Sequence, residues 1–357
     1  MSDTSEAAPL LVAEHLVKTF AVRRSLGEVL RRAPQQRLIA LDDVSISLRA
    51  GQVLGVVGES GSGKSTLAYC LVRLLGLDSG TIRLGSQDLD ELDGASQRER
   101  RRHIQMVFQD PYSSLNPRLT VGRAIAEPAR VHHLVDRHDQ AAMVGELLER
   151  CGLRSQDAAR YPRQLSGGQR QRVAIARALS VKPEILIADE AVSALDVSVQ
   201  AQILNLFAEL QADLGLGIIF ITHQLAVVSQ LASDVVVLYL GRVMESGPAH
   251  SVLGASRHPY TQGLLQAQPS VRGKRVQRRP ALRGELPSAL EMPSGCRFHT
   301  RCPLAEPICT EVDPPATEVA PGHFSRCHVL APSRLSVSDV PMPKRLDTPG
   351  NTVGDVQ

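Results

Sequence analysis

A glycine-rich segment with one lysine, Gly58–Thr66, reads Gly-Glu-Ser-Gly-Ser-Gly-Lys-Ser-Thr. This spacing fits the pattern G-x-x-x-x-G-K-[ST], in which glycines let the backbone curl so that its N–H groups point at an anion. An apolar run, Val53–Val57, precedes the segment and helical signals follow it, which is the context that a phosphate-binding loop requires. We therefore predict that Lys64 neutralises charge on the β- and γ-phosphates of a nucleotide and that the hydroxyl of Ser65 binds Mg²⁺. The nucleotide-binding residues assigned to this loop are Gly58, Glu59, Ser60, Gly61, Ser62, Gly63, Lys64, Ser65 and Thr66.

Two adjacent carboxylates, Asp189 and Glu190, end a second apolar run over residues 185–188. At the end of a buried strand beside the phosphates, Asp189 would hold Mg²⁺ through water, as a Walker-B aspartate does. Glu190 would polarise the attacking water, so the pair predicts hydrolysis rather than binding alone. The alternative is a solvated acidic pair at a strand end, which the phosphate-binding loop disfavours.

The elements that must position these groups alternate along the chain. Short apolar runs predict buried strands, and apolar residues at helical spacing predict helices. Alternation of the two predicts an α/β fold with a largely parallel sheet. Strands are expected at 10–20 (as an edge strand), 40–58 (two strands), 103–110, 184–190 and 217–223, and a hairpin is expected at 235–247. Helices are expected directly after the phosphate loop, at 140–153, from 165 to the break at Pro183, and at 199–215.

Length and composition limit the classes of protein that fit. The 357 residues suggest two domains, or one domain with an appendage, and 43% hydrophobic with 22% charged residues is ordinary for a globular protein. The net charge of +3 argues neither for nor against nucleic acid. No apolar run approaches the roughly 20 residues needed to cross a bilayer, and the N-terminus lacks a secretory signal. The chain is therefore expected in the cytosol, where clustered cysteines are more often metal ligands than disulfides.

Further motifs follow the phosphate loop in a fixed order, and with them the chain resembles the ATP-binding subunits of ABC transporters. Leu165–Gln169 reads LSGGQ and matches the signature of that family, while Ser193–Asp196 matches its D-loop. Gln109 in VFQD and His223 in ITH match its Q-loop glutamine and its strand-ending histidine. The resemblance implies a P-loop NTPase ABC cassette, with a RecA-like core, an antiparallel β subdomain and a helical subdomain, over residues 10–260.

The resemblance also implies roles for individual residues. Gln109 would reach Mg²⁺ and the attacking water, His223 would contact the γ-phosphate, and Phe20 would stack on adenine. A packing role in the core is the alternative for Phe20 and for His223. Ala191 and Gln224 stand where the family has proline and aspartate, but neither change removes a catalytic group.

A head-to-tail ATPase dimer is a further implication, with ATP held between the phosphate loop of one subunit and the signature of the other. The signature opens a predicted helix, whose N-terminus is a second anion-binding end. One chain carries a single set of both features, so it needs a partner. The signature residues assigned to the nucleotide are Ser166, Gly167, Gly168 and Gln169.

A narrower resemblance, to the oligopeptide/dipeptide importer subfamily, covers about residues 11–330. It depends on the segments at 56–68, 106–118, 193–206, 258–265 and 284–305, and an insertion before Ala40 resembles the second of the two ATPase subunits in these importers. The resemblance implies a peripheral ATPase on the cytoplasmic face of the inner membrane. Its expected partners are a second, paralogous ATPase subunit, two permeases and an extracytoplasmic solute-binding protein, with oligopeptides or dipeptides as the imported solute.

Three alternatives remain at this point: an importer ATPase for another solute, a soluble ABC ATPase acting on nucleic acid or ribosomes, and a non-hydrolysing regulatory subunit. The basic runs at 98–102 and 272–283 contain no aromatic residues, which stacking on nucleic-acid bases would require. We therefore expect no nucleic-acid partner. The intact hydrolytic residues argue against a regulatory subunit.

Four cysteines cluster near the C-terminus, separated by 5, 6 and 17 residues and without a C-x-x-C pair: Cys296, Cys302, Cys309 and Cys327. Four thiolates suit tetrahedral zinc or an iron–sulfur cluster. The subfamily resemblance favours a [4Fe–4S] cluster, with zinc or free thiols as alternatives. We expect a small Cys-rich appendage within a C-terminal regulatory extension over 261–330, and a disordered tail over 331–357. Cys70 and Cys151 are expected to be core thiols.

Overall fold

The computed structural model describes residues 8–22, 24, 35–90, 94–193, 195–267, 282 and 284–330. Most of the insertion before Ala40, most of the basic run at 272–283 and the expected disordered tail lie outside these ranges. Within them, no helix is long and apolar enough to span a membrane.

Twelve strands are present in the described residues, and the expected hairpin and parallel strands are among them. In chain order they are β1 (Leu11–Ala21), β2 (Arg37–Leu48), β3 (Val53–Val57), β4 (Ser79–Leu84), β5 (Gln87–Asp88), β6 (Ile104–Val107), β7 (Ile185–Asp189), β8 (Gly217–Thr222), β9 (Asp234–Tyr239), β10 (Arg242–Pro248), β11 (Thr317–Ala320) and β12 (His323–Ser325).

The helices lie between and after these strands, as the alternating pattern predicts. They are α1 (Lys64–Leu71), α2 (Gly94–His103), α3 (Pro111–Ser114), α4 (Val121–Val131), α5 (Gln140–Arg150), α6 (Gly167–Leu179), α7 (Val197–Leu214), α8 (Leu225–Leu231), α9 (Ala249–Gly254), α10 (Pro259–Ala267) and α11 (Ile308–Glu311).

The main sheet has eight strands in the order β11-β12-β10-β9-β3-β8-β7-β6. Strands β9, β3, β8, β7 and β6 are parallel neighbours, whereas β10, β12 and β11 add in antiparallel fashion. Since the carboxyl ends of parallel strands meet at one edge, the loops after β3, β6, β7 and β8 converge there. This edge carries the residues expected to act on the nucleotide.

Both faces of the main sheet are covered, which explains why its strands are continuous apolar runs rather than alternating ones. Along β7, Leu186 packs into a cluster with Phe207 of α7, while Ile187 packs into a cluster with Leu67 of α1. Successive side chains of a strand point to opposite faces, so one strand serves two cores.

A second sheet of four strands, in the order β2-β1-β4-β5, packs with α1 against the main sheet. Its strands pair in antiparallel fashion, with β1 between β2 and β4. The expectation that β1 is an edge strand is therefore wrong. Leu11, Ala13 and Leu16 of β1 are fully buried, with a register shift between Ala13 and Leu16. Such a burial pattern indicates which face is covered but not how many neighbours the strand has.

The expected Cys-rich appendage is not supported, because the C-terminal segment is part of the main fold. Strand β12 pairs with β10 and so extends the main sheet. Cys296, Phe298 and Cys309 lie in one core cluster with Val57 of β3 and Tyr239 of β9. The proline-rich sequence and the short strands β11 and β12 gave no periodic signal from which this packing could be predicted.

Candidate nucleotide site and C-terminal thiol cluster

The phosphate loop lies between β3 and α1, as predicted, and its glycines are required by close backbone contacts. Gly63 has φ 104°, and a Cβ there would lie 2.4 Å from the carbonyl oxygen of Ala40. At Gly58 a Cβ would lie 2.2 Å from the carbonyl oxygen of Leu238. No side chain fits at either distance, so the loop geometry depends on glycine at both positions.

Lys64 is the first residue of α1 and is 5% exposed. Its Nζ donates to the carbonyl oxygens of Gly58 at 2.8 Å and of Glu59 at 2.7 Å. Burial lowers the pKa of the Lys64 ammonium, and the nearby carboxylates of Glu190, Asp189 and Glu59 oppose this shift. The ammonium group therefore lies against its own loop. An anion bound by the loop N–H groups could also contact this ammonium group.

Oxygen donors suited to Mg²⁺ meet beside this lysine. The Ser65 hydroxyl donates to Oδ1 of Asp189 at 3.3 Å, and Asp189 is buried at the end of β7. Burial raises the pKa of the Asp189 carboxyl, the hydrogen bond from Ser65 lowers it, and the neighbouring Glu190 raises it further. A poorly solvated carboxylate beside a hydroxyl fits a hard divalent cation, which prefers oxygen ligands.

Three residues far apart in sequence meet at the carboxyl edge of the main sheet. Nε2 of Gln109 donates to Oε2 of Glu190 at 2.9 Å across 81 positions, and Nδ1 of His223 lies 3.4 Å from Oε1 of Glu190 across 33 positions. Glu190 adopts φ 47°, a left-handed conformation that is rare for a side chain of this type and is often found at functional sites. The side chain of His223 is 48% exposed, which disfavours the alternative of a core histidine.

The signature residues form a complete helix start at α6. The hydroxyl of Ser166 accepts from the Gln169 N–H at 3.3 Å, and Oε1 of Gln169 accepts from the Ser166 N–H at 2.9 Å. This capping box leaves the remaining N–H groups of the first turn available. Within the described part of the chain, neither residue hydrogen-bonds to the phosphate loop. A Cβ at Gly168 would meet Val199 at 2.4 Å, so the glycine permits close packing against α7.

Phe20, at the end of β1, is 36% exposed. The Nζ of Lys18 lies 5.6 Å from the centre of its ring. The exposure disfavours the alternative of a core phenylalanine and leaves the ring accessible to another flat group. In the D-loop, the Ser193 hydroxyl donates to the Glu190 carbonyl oxygen at 3.0 Å. Asp196 occupies the N-cap position of α7 without a side-chain cap hydrogen bond.

Sequence reasoning missed two supports of the phosphate loop that come from far along the chain. The guanidinium of Arg301 pairs with the carboxylate of Glu59, and the Tyr260 hydroxyl accepts from the Glu59 N–H at 2.9 Å. Both residues lie more than 200 positions after Glu59. No local pattern in the sequence signals such a contact.

The four C-terminal cysteines are brought into one region. Cys296 and Cys309 are buried and Cys302 is partly buried, and the Cys296 N–H donates to the Cys309 carbonyl oxygen at 2.9 Å. Burial raises the pKa of Cys296 to about 12 and that of Cys302 to about 11, and the other thiols of the cluster, Cys327 among them, also raise these pKa values. Burial therefore favours the neutral thiol form of Cys296 and Cys302 at physiological pH.

The sulfur positions limit which inorganic group could be held. Among the described residues, one group of three His, Cys, Asp or Glu side chains has its ligand atoms within 4.8 Å of one another, the exposed Asp136, His138 and Asp139, and it contains no cysteine. Tetrahedral zinc with Zn–S bonds of about 2.3 Å needs sulfurs closer than this. Elsewhere, Cys70 and Cys151 are buried in the core as predicted.

The α/β core, the phosphate loop and the signature helix together define an ATP-binding cassette. A family model described as ABC transporter matches residues 41–193, and one described as oligopeptide/dipeptide transporter, C-terminal region, matches residues 244–309. Among solved structures, the dimeric bacterial ABC transporter cassette MJ0796 aligns with a TM-score of 0.58 and 27% identity, over 67% of this chain and 98% of that one.

Curated relatives extend the similarity to nearly the whole chain. The probable peptide ABC transporter ATP-binding protein y4tS of Sinorhizobium fredii is 45% identical over 96% of this chain and 98% of its own length. The oligopeptide transport ATP-binding protein AppF of Bacillus subtilis is 49% identical over 82% of this chain and 90% of its own length. This chain belongs to the family of ABC transporter ATP-binding subunits that carry the oligopeptide/dipeptide transporter C-terminal region, and it is an ABC-type ATPase that binds ATP with Mg²⁺.

Proposed function

We propose that this chain hydrolyses ATP to energise the import of oligopeptides or dipeptides through a membrane transporter. The observation that carries the hydrolytic part is the meeting of Gln109, Glu190 and His223 beside the loop that holds Lys64. The peptide part is supported by the names of relatives, including the di/tripeptide transport ATP-binding protein DppF of Pseudomonas aeruginosa, which is 44% identical over 84% of this chain and 91% of its own length.

Each residue of this site has a distinct task in the proposed mechanism. Mg²⁺ bound near Ser65 and Asp189 would neutralise charge on the β- and γ-phosphates. Lys64 exchanges its loop carbonyl partners for phosphate oxygens. The carboxylate of Glu190 accepts a hydrogen bond from the attacking water and so orients it towards the γ-phosphorus. Gln109 donates to the other carboxylate oxygen and so fixes its direction.

The same proposal assigns His223 to the γ-phosphate and Phe20 to the adenine ring. His223 directly follows β8 and is half exposed. A nucleotide bound to the loop could contact its side chain there. Phe20 presents an exposed ring near the end of β1. Both positions suit groups that complete their contacts only when the nucleotide is bound.

The test is the ATP turnover of a Glu190→Gln variant. Because the amide keeps the shape but cannot act as a base, ATP should still bind while kcat falls by roughly a hundredfold or more. Glu184→Gln provides a matched control, since Glu184 precedes the same strand and pairs with His103 at 2.5 Å, away from the loop. Turnover of the Glu190→Gln variant at the wild-type rate would contradict the assignment.

We further propose that the ATPase acts as a head-to-tail dimer. The exposed N-terminus of α6, with Ser166, Gly167, Gly168 and Gln169, would close on the nucleotide of a paralogous subunit. Two permeases, an extracytoplasmic solute-binding protein and a position at the cytoplasmic face of the inner membrane complete this proposal. Residues 10–260 would act as the ATPase unit and 261–330 as an extension packed on it. Copurification of permeases, rather than ribosomes or DNA, with the tagged chain is the expected result.

We also propose that the four C-terminal thiols hold a [4Fe–4S] cluster rather than zinc. They share one region, yet no three of their sulfurs are as close as a zinc site requires. A larger inorganic core bridges more widely spaced sulfurs. Its positive charge would also stabilise the thiolates that burial alone disfavours.

Anaerobic purification followed by iron, sulfide and zinc analysis tests the cluster. Cys302→Ser should abolish bound iron, whereas Cys70→Ala, which removes a buried thiol elsewhere, should leave it unchanged. Iron bound equally by both variants, or stoichiometric zinc in the wild-type protein, would refute the iron–sulfur assignment without affecting the ATPase assignment.

A further inference from the structure

Glu59 lies in the phosphate loop and is bonded in three directions at once. Its N–H donates to the Tyr260 hydroxyl at 2.9 Å, and its carbonyl oxygen accepts from Nζ of Lys64 at 2.7 Å. Its carboxylate accepts from both terminal nitrogens of Arg301, at 2.5 Å and 3.1 Å. One residue therefore connects the lysine of the nucleotide site to two residues of the C-terminal half.

Arg301 is built into the C-terminal segment more firmly than a surface arginine. Its side chain is 5% exposed, and its guanidinium lies 5.8 Å from the centre of the Tyr239 ring. The backbone N–H of Arg301 donates to the Phe298 carbonyl oxygen at 3.0 Å, within the turn that precedes Cys302. A guanidinium held in a planar, two-bond geometry constrains both the direction and the distance of the carboxylate it binds.

The pair affects the nucleotide site in two ways. An unpaired carboxylate at position 59 would repel the phosphates that the loop binds, and Arg301 neutralises it. The pair also fixes the backbone of Glu59, whose carbonyl oxygen holds Lys64. On the same side, a Cβ at Gly61 would lie 3.5 Å from Leu286, so the C-terminal segment contacts the loop at more than one point.

We propose that Arg301 is a positioning residue for the ATP site, and that it couples the conformation of the cysteine-bearing turn at 296–302 to ATP affinity. The inference requires that ATP occupies the loop, but it does not depend on which group the thiols hold. Coupling between two sites is reciprocal, so ATP binding should in turn stabilise the turn that carries Arg301.

The first test is ATP affinity, measured by calorimetry on the full chain in EDTA so that hydrolysis does not interfere. Loss of Arg301 leaves the Glu59 carboxylate uncompensated beside the bound phosphates and frees the loop backbone. Arg301→Gln should therefore raise the ATP dissociation constant roughly tenfold, which corresponds to about 1.4 kcal/mol. With Mg²⁺ present, KM for ATP should rise while kcat at saturation is retained, because the pair acts on binding rather than on the reacting atoms.

A second variant separates loss of the pair from general damage. Adding Glu59→Gln to Arg301→Gln removes the unpaired carboxylate, so most of the lost affinity should return. Arg301→Lys keeps the charge without the two-bond geometry and should give an intermediate affinity, which keeps the test valid if Arg301→Gln folds poorly. Arg326→Gln is the matched control, because Arg326 pairs with Asp43 at 3.2 Å and should leave ATP affinity unchanged.

The reciprocal effect is measured by amide hydrogen exchange of the full chain. ATP should slow exchange of the 296–302 turn in the wild-type protein and have little effect on it in Arg301→Gln. Unchanged ATP affinity in Arg301→Gln, a double variant as weak as the single one, or exchange at 296–302 that ignores ATP would each overturn the inference. Failure of the wild-type chain to bind ATP would instead overturn the proposed nucleotide site.

Discussion

Removing a single hydroxyl group, by Tyr260→Phe, tests whether the C-terminal half supports the phosphate loop. Tyr260 is fully buried in α10, and its hydroxyl accepts from the Glu59 N–H at 2.9 Å. Burial raises the pKa of this hydroxyl, so it remains protonated at all relevant pH values. Phenylalanine keeps the ring contacts with Tyr239 at 4.7 Å and with Phe298 at 5.4 Å, and therefore only the hydrogen bond is lost.

The magnitude follows from the group that is left behind. Deleting the acceptor leaves the N–H of Glu59 without its partner, which costs about 1–3 kcal/mol of unfolding free energy. With an unfolding entropy of about 2.1 cal/mol/K per residue, each kcal/mol lowers the melting temperature of a chain of 357 residues by roughly 1–2 °C. We therefore expect a fall of roughly 1–6 °C. The loop is also released on one side, so the further rise in melting temperature caused by ATP should be smaller than in the wild-type protein.

The assay is thermal unfolding with and without ATP, read by circular dichroism. Tyr161→Phe is the matched control, since the same atom is removed from a ring that is 38% exposed, and it should change neither value. A Tyr260→Phe variant with the wild-type melting temperature and the wild-type response to ATP would refute the reasoning that the Tyr260 hydroxyl supports the loop.

Two other predictions concern the loop and the acidic centre. Gly63→Ala should abolish ATP binding in an equilibrium binding assay, because its Cβ would lie 2.4 Å from the Ala40 carbonyl oxygen at φ 104°, whereas Gly76→Ala, with no atom within 4 Å, should bind normally. Because burial raises the pKa of Asp189 above 3.8, the folded protein binds its proton more tightly than the unfolded chain does, and this contribution to stability is lost as pH rises through the folded pKa. Metal-free thermal melts of Asp189→Asn should lack that pH dependence, and a wild-type profile in the variant would contradict the shift.

Much of the site could be predicted because its signals are local. The loop residues, the Asp189–Glu190 pair and the signature are each continuous in sequence, and short apolar runs mark the strands that carry the first two. The meeting of Gln109 with Glu190 across 81 positions needed one further premise, that parallel strands bring their carboxyl ends together. That premise came with the family resemblance and with the alternation of strands and helices.

The missed features share a different physical character. Arg301 and Glu59 are 242 positions apart, and neither belongs to a periodic pattern, so nothing in the sequence joins them. Strands β11 and β12 have four and three residues, too few for alternation to be recognised. For the same reason a segment that reads as a cysteine-rich appendage extends the main sheet and enters its core.

The contacts of Glu59 with Tyr260 and Arg301 bear on how the phosphate loop can keep its shape while Lys64 changes its hydrogen-bond partners. In this structure Nζ of Lys64 donates hydrogen bonds to the carbonyl oxygens of Gly58 and Glu59. It must break these hydrogen bonds before it can bind a phosphate. A loop held only by its lysine would lose its shape at that moment. Because Tyr260 and Arg301 hold Glu59 by groups that Lys64 does not use, the lysine can turn to the nucleotide while the backbone stays in place. We therefore expect the C-terminal segment to keep the loop backbone in place while Lys64 moves from its carbonyl partners to the phosphates.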